Sequence, residues 1–170
     1  TLPRNSILAF KHAHHSLELA RQVEQYLVDG LHNVAVTESA FGNPQYALEC
    51  AEEAQKASLQ IQTPLTDYYA LFAKATALEA LKQTDEAKSF FEKAAKLARE
   101  HKLGLFEQKS ALELDRLNND LESARKRMQW FEERGLMNGV NIAKRYFPEL
   151  AETAQELVLE MKTSLRLEVL

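Results

Sequence analysis

Residues 68–101, YYALFAKATALEALKQTDEAKSFFEKAAKLAREH, decide the fold. Small side chains recur at Ala73, Ala75, Ala77 and Ala80, before a polar break at Lys82-Gln83-Thr84. They return after it at Ala87, Ala94 and Ala95. Larger apolar residues stand beside them at Leu71, Leu78, Leu81, Phe91 and Leu97. Spacings of three and four residues put such side chains on one face of a helix. Small beside large lets two antiparallel helices approach closely and interlock. The stretch therefore reads as two amphipathic helices folded against each other.

The same pattern extends in both directions. Residues 5–28 carry a helical period through Leu8, Leu17, Ala20, Val23 and Leu27, with a break expected at Asp29-Gly30. Residues 31–41 are again helical. At Gly42-Asn43-Pro44, Gly suits a left-handed helix end, Asn an amino-terminal cap and Pro a first turn. Thr63-Pro64 repeats that start, and Thr84 is expected to cap the next helix, with Asp85 and Glu86 in its favourable first turn. His101-Lys102-Leu103-Gly104 closes it. Asn119 with Glu122 resembles a capping box. Gly135 and Asn138-Gly139 read as further breaks, before a short helix over 140–147 and another from 148 to about 163.

Composition narrows the class. Apolar residues make up 45% and charged residues 27%, which fits a folded chain and excludes a disordered one. Five Gly and four Pro are too few for a many-turned β protein and favour long helices. A net charge of −4 leaves no electrostatic footprint for direct nucleic-acid binding. No apolar run approaches the roughly 18 residues that span a membrane. The single Cys50 allows no intrachain disulfide and favours a reducing, cytoplasmic setting. The chain begins at Thr1 without a signal pattern, so a segment of a longer protein is expected.

The central stretch resembles a tetratricopeptide repeat. That motif takes a small residue at its eighth position, a large one at the eleventh, Ala at the twentieth, an aromatic at the twenty-fourth and Ala at the twenty-seventh. Here these are Ala75, Leu78, Ala87, Phe91 and Ala94. A first copy aligns through Ala35, Gly42, Ala47 and Ala54, with Ala51 in the aromatic slot; a third, more degenerate copy centres on Ala124, with Leu112, Met128 and Phe131. The anchor alanines Ala47, Ala87 and Ala124 are spaced by 40 and 37 residues. That exceeds the repeat's usual length of about 34. It is similar to the longer repeats of bacterial multidomain transcriptional regulators. The resemblance implies an all-α, right-handed superhelical array of antiparallel helix pairs over residues 1–163, with about three repeats and extra terminal helices. A closed antiparallel bundle is the alternative.

Residues 164–170 alternate apolar and polar, the period of a strand. This tail resembles the opening strand of a following winged-helix domain.

Catalytic and metal chemistry find little footing. His12, His14 and His15 cluster on the first helix, yet a structural metal needs three or four converging ligands, so a solvated polar face is expected. Glu49, Glu52 and Glu53 share a face without a partner base, and Cys50 fills a small-residue slot. There is no Gly-rich phosphate loop. The expectation is a non-enzymatic scaffold without cofactor or metal.

In the repeat family the first helix of each pair lines the concave face. The resemblance assigns its inward positions to Asp29, His32, Val36 and Ser39, to Tyr69, Phe72, Thr76 and Glu79, and to Phe106, Lys109, Glu113 and Arg116. The partner-binding candidates are His32, Tyr69, Phe72, Phe106, Lys109 and Arg116, because aromatics and Arg anchor interfaces. Phe72 and Phe106 equally suit packing between neighbouring pairs. The carboxylate clamp of co-chaperone members is missing: its slots hold His32, Val36, Ala73, Phe106 and Ser110. The resulting expectation is a protein or peptide partner, with self-association into a homo-oligomer compatible and membrane binding not. The chain is read as the repeat segment of a regulator or signalling protein; the alternative is a free-standing peptide-binding adaptor.

Overall fold

Short polar connections cut the chain into helices that fold back on one another. The structure, a computed structural model, describes residues 4–23 and 26–151. Eight helices are found among them: α1 (Arg4–Ala20), α2 (Leu27–Phe41), α3 (Pro44–Ile61), α4 (Pro64–Ala80), α5 (Thr84–Glu100), α6 (Gly104–Asn118), α7 (Leu121–Glu132) and α8 (Met137–Tyr146). There is no strand among the described residues. None of their helices is long and apolar enough to cross a membrane. The tail at 164–170, and nearly all of the helix expected over 148–163, lie outside the described residues.

The chain divides into two units, Thr1–Leu114 and Asp115–Leu170. In the first, each helix from α1 to α4 packs on the next, and α2 also packs on α4. Its core holds Leu17, Leu31, Val34, Ala35, Ala51, Ala54 and Ala73 in one cluster. Tyr68, Ala94 and Ala98 form another, flanked by Leu97 and Phe106. All the small and large slots of the central pair, Ala75, Leu78, Ala87, Phe91 and Ala94, are buried. In the second unit α7 packs on α8. Ala124, Met128, Phe131 and Val140 are buried there. The Arg127 guanidinium is paired with the Asp115 carboxylate, itself nearly buried.

The helix ends are partly as the sequence implies. Asn43 accepts from the N–H groups of Gln45 and Tyr46, with Pro44 in the first turn of α3. Thr63 and Thr66 form a reciprocal capping box at α4. Other ends differ. Thr84 is the first residue of α5 and makes no capping bond. Asp120, not Asn119, caps α7 by accepting from the Ser123 N–H. Asn119 instead takes the left-handed conformation, as do Gln62, Lys82 and Lys102, each just after a helix. Gly104 opens α6 rather than closing α5.

Glycines account for the largest departures. Helix α1 stops at Ala20, and Asp29-Gly30, expected as a break, lies inside α2. A Cβ at Gly30 would stand 2.9 Å from the Ala20 Cβ and 3.1 Å from the Leu17 Cα. Gly30 is thus a point of close approach between α1 and α2. Gly139 is likewise inside α8, and a Cβ there would meet the Phe131 ring at 2.5 Å. Gly42 is not left-handed: its φ is −129°. Its missing side chain leaves room for the Glu38 carboxylate and the Phe10 ring.

These contacts define a stability test. Gly30→Leu, Ala75→Leu and Ala87→Leu each overfill a tight helix crossing and should cost about 1–3 kcal/mol. Urea unfolding of the three variants checks this; midpoints equal to that of the unaltered chain would contradict the packing described.

Candidate functional site

Three helices of the first unit bring their side chains together. On α2, Asp29, His32 and Asn33 share a face because they are three or four residues apart. Helix α4 supplies Tyr68, Tyr69 and Phe72, and α6 supplies Phe106 and Lys109. The His32 ring lies 4.7 Å from that of Tyr69 and 5.8 Å from that of Phe72. Phe106 lies 4.9 Å from Tyr68 and 5.7 Å, edge to face, from Tyr69. The Lys109 ammonium sits 5.7 Å from the centre of the Phe106 ring. Five of the six residues singled out from the sequence therefore meet in one cluster.

The sixth, Arg116, belongs to the carboxy-terminal unit. Its guanidinium lies 4.8 Å over the Tyr146 ring.

The cluster has a packed side and an open side. Phe72 turns inward, meeting the buried Phe91 edge to face at 5.2 Å. Tyr68 is buried, and its hydroxyl accepts from Ser110 Oγ at 3.1 Å. Burial drives the Tyr68 phenol far above its ordinary range. These residues fix the α4–α6 contact. On the open side Asp29, His32, Asn33, Tyr69, Phe106 and Lys109 line a cavity of about 240 Å³. Phe72 is thus a packing residue between neighbouring helices, whereas Tyr69 and Phe106 also reach the cavity.

Burial in the cavity shifts His32, Asp29 and Tyr69 toward their neutral forms. Burial pushes the His32 imidazole down to about 4; its bond to the Tyr69 carbonyl opposes this and the Lys109 charge adds to it. His32 Nδ1–H donates to that carbonyl at 3.1 Å, which leaves Nε2 as an acceptor in the neutral ring. Burial alone raises the Asp29 carboxyl above its ordinary value. The Tyr69 phenol is raised by burial and, secondarily, by the Asp29 charge.

The histidines of α1 do not converge. His12 and His15 are exposed, and His15 faces Glu18 at 3.7 Å. His14 departs from the expected solvated face. Its Nε2 meets Glu38 Oε1 at 2.7 Å, and its ring lies 4.5 Å from that of Phe10. Glu38 is buried, and its second oxygen accepts from the Asn43 N–H at 2.8 Å. This carboxylate ties α1 to the α2–α3 connection. Among the described residues no group of three or more His, Cys, Asp or Glu side chains is arranged to hold a metal. Cys50 is buried against the first core cluster, and burial raises its thiol. Glu53 is bound by both Arg21 nitrogens at 2.6 and 3.0 Å.

A second groove of about 620 Å³ was not legible in the sequence. Leu59, Ala70, Leu71 and Leu97 give it an apolar floor, with Lys74 among its lining residues. The Lys74 ammonium donates to Gln55 Oε1 at 3.1 Å and lies 5.3 Å from the centre of the Phe90 ring.

Compared with protein-family models, curated proteins and solved structures, the chain matches none.

The His32 environment predicts a pH dependence of stability. The unfolded chain takes up a proton near pH 6.5 and the folded chain only near 4. The neutral ring's contribution is therefore complete above pH 6.5 and is lost as pH falls toward 4, by at most about 1.4 kcal/mol per pH unit. Urea unfolding of the unaltered chain and of His32→Gln checks this. The stability gap between them should shrink from pH 7.5 to pH 5; a constant gap refutes the assignment.

Proposed function

We propose that this chain is a non-enzymatic scaffold of tetratricopeptide type, binding a protein or peptide across the first helices of its pairs. One observation carries the reading: α2, α4 and α6 converge on a half-open cluster of His32, Tyr69, Phe106 and Lys109. Half-open aromatics offer large contact area at low conformational cost. Lys109 gives the ligand a carboxylate preference. The buried slots at Ala35, Ala75, Ala87 and Ala124, with α2 packed on α4, support the repeat character. The 40- and 37-residue spacings favour the repeat segment of a bacterial transcriptional regulator or signalling protein.

The test is selection from a displayed peptide library, followed by titration of the enriched peptides. Acidic peptides, or peptides with a free carboxy terminus, should be enriched. Lys109→Glu and Phe106→Ala should weaken them by about 30-fold, the equivalent of roughly 2 kcal/mol at an anchor. Circular dichroism of both variants should remain that of the unaltered chain. Enrichment of peptides that ignore both substitutions would place binding elsewhere.

A further inference from the structure

The cavity between α2, α4 and α6 has a composition that a peptide-binding surface does not require. It is small, with room for about eight waters at roughly 30 Å³ each. Opposite charges line it; Lys109 is held over the Phe106 ring, but neither charge meets an opposite one. No hydrogen bond or ion pair reaches the Asp29 carboxylate among the described residues, and no carboxylate pairs with Lys109. Both charges are nevertheless felt within the cavity, Asp29 at Tyr69 and Lys109 at His32. Between them stand the Tyr69 and Phe106 rings, 5.7 Å apart and edge to face. His32 Nε2 adds an acceptor in a ring whose Nδ1 is already committed.

We propose that this cavity binds a small zwitterion, a free α-amino acid, as an effector of the protein. The ligand ammonium sits against Asp29, with the Tyr69 face and His32 Nε2 as further acceptors. The ligand carboxylate sits at Lys109. A half-buried carboxylate without a partner is costly, and a ligand cation offsets that cost. An ammonium over an aromatic face adds a favourable contact. A simple cation would be repelled by Lys109 and a simple anion by Asp29, so a ligand carrying both charges is favoured over either. A volume of about 240 Å³ matches a single residue. The proposal goes beyond the partner reading and does not depend on it, because its probes are small molecules.

The experiment is thermal denaturation, followed by titration calorimetry, of the full chain with each of the common L-amino acids at 10 mM. At least one should raise the melting temperature saturably. Its methyl ester, which lacks the carboxylate, and its N-acetyl form, which lacks the ammonium, should each bind at least ten-fold more weakly. Asp29→Asn and Lys109→Gln should each lose at least ten-fold for the parent amino acid. If either variant does not fold, the comparison of blocked with free ligand on the unaltered chain decides. The proposal is overturned if no amino acid gives a saturable response, or if the ester or the N-acetyl form binds as well as the parent. Unchanged affinity in both folded variants overturns it equally.

Discussion

Close approach of helices through methyl-sized side chains is the constraint on which the rest depends. Ala35, Ala47, Ala51, Ala54, Ala73, Ala75, Ala77, Ala87 and Ala94 are all fully buried. A larger residue at these crossings would separate the helices and open voids beside the neighbours. Because the alanines keep α2, α3 and α4 close, Tyr68 can be buried in the first unit and still bond Ser110 on α6. That contact in turn holds Phe106 and Lys109 beside the α2 face. The aromatic cavity is thus a consequence of small-residue packing a helix away.

Much of this was legible in the sequence because it is periodic. A stripe of alanines at helical spacing reads as a helix face, and the breaks at Gly42-Asn43-Pro44 and Lys82-Gln83-Thr84 match the observed connections. The glycines misled, since a glycine signals either a left-handed turn or a close contact. Sequence spacing does not say which. Gly30 and Gly139 are contacts, fixed by Ala20 and Phe131 from other helices. Asp120 rather than Asn119 caps α7, because Asn119 is left-handed after α6, and the start of α5 has no side-chain cap.

The site was legible for the same reason and to the same limit. The repeat resemblance aligned positions on α2, α4 and α6, so His32, Tyr69 and Phe106 could be grouped in advance. Which of them would be wall and which opening depends on neighbours far along the chain. Phe72 is drawn inward by Phe91, nineteen residues on. Glu38 carried no signal, since its partner His14 lies on another helix and looked solvated. Asp29 stood among the inward positions, but its lack of a partner is a property of the folded chain alone.

The left-handed residues after the helices have a consequence for how the chain could be improved. Gln62, Lys82, Lys102 and Asn119 hold φ between 54° and 67°, where an L side chain costs about 1–2 kcal/mol for most residue types. Gly135 occupies the same region at no such cost. Gln62, Lys82, Lys102 and Asn119 are all exposed, and none belongs to the cavity. The connections therefore hold a reserve of stability that an engineer could release by placing glycine there, leaving the aromatic cavity untouched. The margin would come from the corners of the fold rather than from its core.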